Sequence, residues 1–198
     1  MVVLPSLPAW ATHWSFCPLC HQHQSLLHVL NNCEVARDLR RYNVRHDAVL
    51  QEIVTAIQPH LPSTTLLTAD VSDTYNFPLH IVSTDLRPDL VWWDDTTRSL
   101  CLAELTVCFE TNFEQAASRK SAKYADLAEQ AKLNGYRSTV LTIQVGSRGV
   151  PDYLSFSHLA RILHMSDRKL SKLLEGVSRE ALLGSFTIWC SRNRMTST

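Results

Sequence analysis

The chain has 198 residues, 45% of them hydrophobic and 8% aromatic, which supplies enough apolar side chain for a packed core and excludes wholesale disorder. Lysine plus arginine and aspartate plus glutamate each number 19, so the formal net charge is zero with histidine neutral. That balance argues against a large DNA-coating surface while leaving room for local basic patches.

The first residues, Met1 to Pro8, lack the charged start and sustained apolar stretch of a secretory signal, and no run is long enough to span a bilayer. Residues 1–16 read as a linker or a truncated upstream segment. Three of the six cysteines, Cys17, Cys20 and Cys33, crowd together beside histidines. Cys101, Cys108 and Cys190 stand alone in apolar runs, where cysteine behaves as a small hydrophobe. This is not a disulfide framework, so a soluble protein of a reducing compartment is expected, nuclear or cytoplasmic.

Residues 17–40 carry the pattern Cys17-x2-Cys20-x7-His28-x4-Cys33. Zinc prefers four tetrahedral sulfur and nitrogen ligands, and a C-x2-C turn aims two thiolates at one point. His28 and Cys33 are expected from a short helix, 26–30, and the turn after it. The segment has little core of its own, so metal binding would supply its folding energy. The competing reading is three buried cysteines and a surface histidine. His21 and His23 are rival ligands, although His23 follows Cys20 too closely for easy joint ligation.

Residues 34–58 look helical, with Val49, Leu50, Ile53, Val54 and Ile57 at helical spacing and Pro59 and Pro62 ending the run. Arg37, Arg40 and Arg41 form either a phosphate-binding strip or a solvated face. Residues 63–77, rich in Ser, Thr and Asp, read as a loop. Three strand-length apolar runs follow, at 79–82, 90–93 and 100–109. In the third, Cys101, Ala103, Leu105, Val107 and Phe109 share one face. Asp94 to Thr97 is a hairpin turn candidate. A helix is expected over 113–133, with Asn112 and Gln115 as a capping box and Gly135 at the C′ position. Residues 140–145 are a further strand, and 155–192 read as two or three short helices with Ser166 and Ser178 as caps.

Asp89 opens one strand and Glu104 lies on the next, across a short turn. Two carboxylates so placed can converge on one hard cation such as Mg²⁺. The helix that follows carries Lys120 near the centre of a stripe formed by Phe113, Ala116, Ala117, Tyr124, Leu127, Ala128 and Ala131. A lysine there needs a partner to offset desolvation. Lys123 sits at the edge of the stripe and Tyr124 within it. Asp89 and Glu104 would hold the metal, Lys120 would orient water or stabilise phosphate charge, and Lys123 would clamp a neighbouring phosphate. The alternative has Lys120 snorkelling to the rim and Glu104 exposed.

The knuckle, then Arg45-His46-Asp47 opening a helix, then Arg87-Pro88-Asp89…Glu104, then Lys120-x2-Lys123-Tyr124, resembles the C-terminal part of site-specific non-LTR retrotransposon proteins. That part holds a CCHC zinc knuckle and a restriction-like endonuclease of the PD-(D/E)xK superfamily. The resemblance covers about residues 17–146. It implies an α/β (α+β) fold with an αβββαβ core over 41–150 and a short helical extension over 151–198. It implies structural Zn²⁺, catalytic Mg²⁺ or Mn²⁺, nuclear action on a DNA target with element RNA as a further partner, and an upstream reverse transcriptase absent from this chain. The superfamily's usual lysine position, two residues past the strand carboxylate, is Thr106 here; Lys120 and Lys123 on the following helix fit the retrotransposon branch. Glu52 is the nearest counterpart of a first-helix metal ligand but lies off the apolar stripe. Arg45 and His46 are nucleic-acid-binding candidates, against the plainer readings of an exposed helix-start arginine and a packed or capping histidine. A zinc-containing binding module without activity is the second functional reading.

Overall fold

The structure is a computed structural model that describes residues 16–71 and 75–195. The linker expected over 1–16 therefore lies, Phe16 apart, outside the described residues. The elements are a π-helical turn His28–Asn32, α1 (Glu34–Asp38), α2 (Arg41–Ile57), β1 (Leu66–Ala69), β2 (Leu90–Asp94), β3 (Ser99–Cys108), α3 (Phe113–Leu133), β4 (Arg137–Gly146), α4 (Tyr153–Ile162) and α5 (Asp167–Cys190). The result is a mixed α/β architecture around one four-stranded sheet, ordered β1-β2-β3-β4. β1–β2 and β2–β3 are antiparallel, and β3–β4 is parallel across the α3 crossover.

Strand alternation divides the core into two layers. Leu90, Trp92, Cys101, Ala103, Leu105, Leu141, Ile143 and Val145 pack under α2, α4 and α5. Val91, Trp93, Leu100 and Leu102 point the other way, onto Tyr124, Leu127, Ala128 and Ala131 of α3. Both faces of β2 are thus covered, and all five of its residues are buried. Glu104 is in phase with Leu100 and Leu102, so it faces α3. The sheet itself therefore carries a carboxylate into the layer beneath that helix.

The first strand is Leu66–Ala69, within the stretch expected to be a loop, and not residues 79–82. The 79–82 segment is apolar for a different reason. Ile81 and Val82 are buried with Phe77 against the α3 layer without joining the sheet. The helix expected over 34–58 breaks at Arg40, which adopts a left-handed φ of 57°. Asn112 does not cap α3 with its side chain; it ends a 3-10 turn, Glu110–Asn112. Gly135 does terminate α3, at φ +84°, while Tyr136 N–H reaches back to the Ala131 carbonyl.

The helical tail is longer than expected. α5 spans 24 residues and packs along α2. Ser178 lies inside it and donates to the Gly149 carbonyl, and Ser166 makes no side-chain capping bond. The two helices come very close at Gly184, where an added Cβ would stand 3.2 Å from the Arg45 Cα. Arg41 is 1% exposed and donates to the Ser191 and Arg194 carbonyls at the end of α5, so it belongs to no surface strip. Among the described residues, no helix is long and apolar enough to cross a membrane.

Candidate functional site

Two sites emerge. The first is the cysteine cluster. Cys17 N–H bonds the Gln22 carbonyl and His21 N–H bonds the Cys17 carbonyl, with His21 at a left-handed φ of 60°. This tight turn directs Cys17 and Cys20 inward. His28 comes from the π-helical turn and Cys33 from the residue after it. The ligand atoms of Cys17, Cys20, His28 and Cys33 all lie within 4.8 Å of one another. Cys17 and Cys33 sulfurs are 3.8 Å apart, and Cys20 Sγ lies 3.1 Å from His28 Nε2. A tetrahedron with zinc–sulfur bonds of about 2.3 Å has an edge of about 3.8 Å, so the spacing suits such an ion, and the four residues could hold a metal such as zinc. His21 and His23 are exposed and outside the group.

The electrostatics suit the same donor set. Burial and nearby His23 hold His28 below its ordinary pKa, which favours the neutral, ligating imidazole. Burial pushes the Cys33 thiol up to about 12. For Cys17, burial is outweighed by bonds from the Cys20 and Leu19 backbone and from the neighbouring thiols, which lower it. The Tyr42 hydroxyl accepts from Cys33 N–H and donates to the Val29 carbonyl, both at 3.0 Å, tying the cluster to α2.

The second site gathers residues from α2, β2, β3 and α3. Asp89 immediately precedes β2, and Glu104 lies mid-β3. Lys120 Nζ donates to Glu104 Oε2 and stands 3.9 Å from Asp89 Oδ2. The same Asp89 oxygen accepts the Leu105 N–H at 2.8 Å and faces His46 Nε2 at 3.4 Å. Glu104 is 1% exposed, and its second oxygen, Oε1, is buried without a hydrogen-bond partner among the described residues. Burial and the Asp89 charge raise the Glu104 carboxyl above its ordinary range. At Asp89 burial works in the same direction, but His46, Glu104 and Lys120 outweigh it and hold that carboxyl low. The pair is thus split, one group firmly ionised and the other resisting ionisation, as expected of carboxylates sharing a desolvated site.

Tyr124 is fully buried; its hydroxyl donates to the Arg87 carbonyl at 3.0 Å and accepts from Lys123 at 2.6 Å. Burial and then Glu104 push its phenol up. It anchors the Arg87-Pro88-Asp89 segment. Lys123 is exposed at the rim.

Of the residues singled out in the sequence, Asp89, Glu104, Lys120, Lys123, Tyr124 and His46 come together, and Arg45 does not. Arg45 is 2% exposed, donates to Ser185 Oγ and the Val107 carbonyl, and burial pulls its guanidinium down to about 10. It fastens α2 to α5 and β3 and is withdrawn from any phosphate. Glu52 points along α5, where it meets Arg179 at 3.9 Å. Sequence reasoning missed Tyr75. Its ring lies under the Arg87 guanidinium, 5.2 Å away, and its buried hydroxyl has no hydrogen-bond partner among the described residues. Its only sequence signal is an aromatic residue within a polar stretch. A separate cleft of about 500 Å³ opens at the other end of the sheet, lined by Trp92, Asp94, Arg137 and His164 among others, and shares no residue with the carboxylates.

No protein-family model matches this chain, and no curated protein matches it. The functional reading therefore rests on the residues themselves.

Proposed function

We propose that this chain is a metal-dependent DNA endonuclease domain with a restriction-like core, of the kind that follows a CCHC zinc knuckle in site-specific non-LTR retrotransposon proteins. The observation that carries the reading is the meeting of Asp89, Glu104 and Lys120 beneath α3. Element order supports it: from α2 onward, a helix, three strands, a helix and a strand precede the α4–α5 tail.

Asp89 and Glu104 fit a hard divalent cation. Both offer oxygen donors, and Glu104 Oε1 is a buried acceptor with no hydrogen-bond donor among the described residues. Such a cation supplies Lewis acidity to a scissile phosphate and acidifies a bound water. The chain's own residues do the rest. Lys120 places an ammonium beside both carboxylates, where it can meet the charge that builds on a phosphoryl oxygen. Lys123, at the rim, meets a neighbouring phosphate as a point charge. Tyr124 fixes the backbone before Asp89, so the two carboxylates keep their relative placement. Zinc in the Cys17, Cys20, His28 and Cys33 cluster would be structural, because four protein ligands leave no open position.

The second reading, a zinc-containing nucleic-acid-binding module without activity, is favoured by one observation. Glu104 is almost wholly buried and already engaged by Lys120, so an entering cation must displace that ammonium. Nicking of supercoiled plasmid separates the two. The wild-type chain with Mg²⁺ is expected to convert supercoiled to open-circular DNA, and the Glu104→Ala chain is not. Equal behaviour of the two proteins would remove the endonuclease reading.

A further inference from the structure

α2 delivers one side chain to the carboxylates that the reaction outlined above leaves unused. His46 lies in the second turn of that helix, with 24% of its side chain exposed. Its Nε2 is 3.4 Å from Asp89 Oδ2, and its Nδ1 is 3.1 Å from Asp47 Oδ1. The ring thus stands between two carboxylates, hydrogen-bonded to Asp47 at one nitrogen and in ion-pair contact with Asp89 at the other.

Asp89 needs such a hold. It ends the long connection from β1 to β2, and regular pairing begins only at the next residue, where Leu90 aligns with Ala103. Its backbone carbonyl is tied to Asp70 N–H at 2.8 Å. Its Oδ2 accepts the Leu105 N–H and has His46 at 3.4 Å and Lys120 at 3.9 Å as charged neighbours. Lys120 is committed to Glu104, which leaves the Leu105 amide and the imidazole to set the angle of the Asp89 carboxylate.

We propose that His46, braced by Asp47, is a positioning residue that holds the Asp89 carboxylate in the orientation where it and Glu104 can share one divalent cation. This rests on the carboxylate-site reading above. It stands in place of the DNA contact expected for His46 from the sequence, because the ring lies against Asp89.

Partners that orient a ligating carboxylate typically govern 10–100-fold in metal affinity. The test is calorimetric titration of the zinc-loaded full chain with Mn²⁺, using Glu104→Gln to define the heat that belongs to the site. His46→Ala is expected to weaken Mn²⁺ binding by about 10-fold or more. His46→Gln, which keeps one donor toward Asp89, is expected to recover part of the loss. Asp47→Asn keeps the imidazole but removes the charge that braces it. Asp47 is 41% exposed in its side chain, so this variant guards against simple misfolding. It is expected to weaken binding by a smaller factor. In plasmid nicking, raising Mg²⁺ should restore the His46→Ala rate toward wild type, a rescue that general structural damage would not give. Wild-type Mn²⁺ affinity in both His46→Ala and Asp47→Asn overturns the role of His46 alone. Absence of any Glu104-dependent Mn²⁺ binding by the wild-type chain overturns the carboxylate site and this inference together.

Discussion

Replacing Lys120 with methionine tests how much of the site is held by charge. Lys120 is 24% exposed and Glu104 is 1% exposed in their side chains, so the pair is only partly screened by water. The ammonium also lies 3.9 Å from Asp89 Oδ2. At an effective dielectric of 20, charges at that distance attract by about 4 kcal/mol before desolvation is counted. Removing one partner of a buried ion pair costs about 3–5 kcal/mol, because the other charge is left uncompensated. Glu104 has an escape: its carboxyl is already raised by burial and Asp89, and it can take up a proton. The loss in Lys120→Met should therefore be about 3 kcal/mol near neutral pH. It should shrink toward pH 5, where protonating Glu104 costs less. Urea unfolding in magnesium-free buffer reads the effect. Adding Glu104→Gln to Lys120→Met should return more than about 1 kcal/mol, a coupling typical of residues in direct contact. A single-variant loss below about 1 kcal/mol, or strictly additive effects, would show that the pair is a solvated surface contact and that the reasoning is wrong.

Elemental analysis of chelator-free protein should find zinc bound by the Cys17, Cys20, His28 and Cys33 cluster, and Cys33→Ser should lose it. Hydrogen exchange should then rise across 17–33 while β2–β4 stay protected; no zinc, or unchanged exchange, contradicts the metal reading. The pH dependence of stability supplies another test. Burial lowers His46, but Asp47 and Asp89 outweigh it and raise the imidazole to about 9. A raised folded-state pKa gives stabilisation that is complete below about 6.5, the ordinary value, and fades as pH rises through 9. The urea midpoint should fall across that window, and His46→Gln should flatten the fall.

The elements carrying the site were legible because their periodicity was unambiguous. β3 alternates cleanly, and α3 shows a stripe interrupted by one cation, Lys120, whose partner the sheet supplies. The hairpin at 94–97 was legible through aspartate chemistry, since Asp94 accepts from the Thr96 and Thr97 amides. β1 was not. Leu66–Ala69 is short, partly exposed and set among Ser and Thr, whereas Ile81 and Val82 are apolar because they are buried, not because they pair. An apolar run reports burial before it reports strand. Arg41 and Arg45 read as surface basic residues because their acceptors, at Ser191 and Ser185, lie 150 and 140 positions away in the sequence. Nothing local to α2 announces those partners. The break at Arg40 carries no glycine or proline to mark it. His46 lies on the expected stripe, but its contact with Asp89 follows from the register that sets the two side by side, which only the folded chain displays.

The account depends on Asp89 and Glu104 sharing one divalent cation. Crystals of the chain grown or soaked with Mn²⁺ and measured for anomalous scattering test this directly. The account predicts one anomalous peak between the two carboxylates, within coordinating distance of an oxygen of each, with Lys120 displaced from Glu104. An undisturbed Lys120–Glu104 ion pair with no peak between Asp89 and Glu104 at millimolar Mn²⁺ would contradict it.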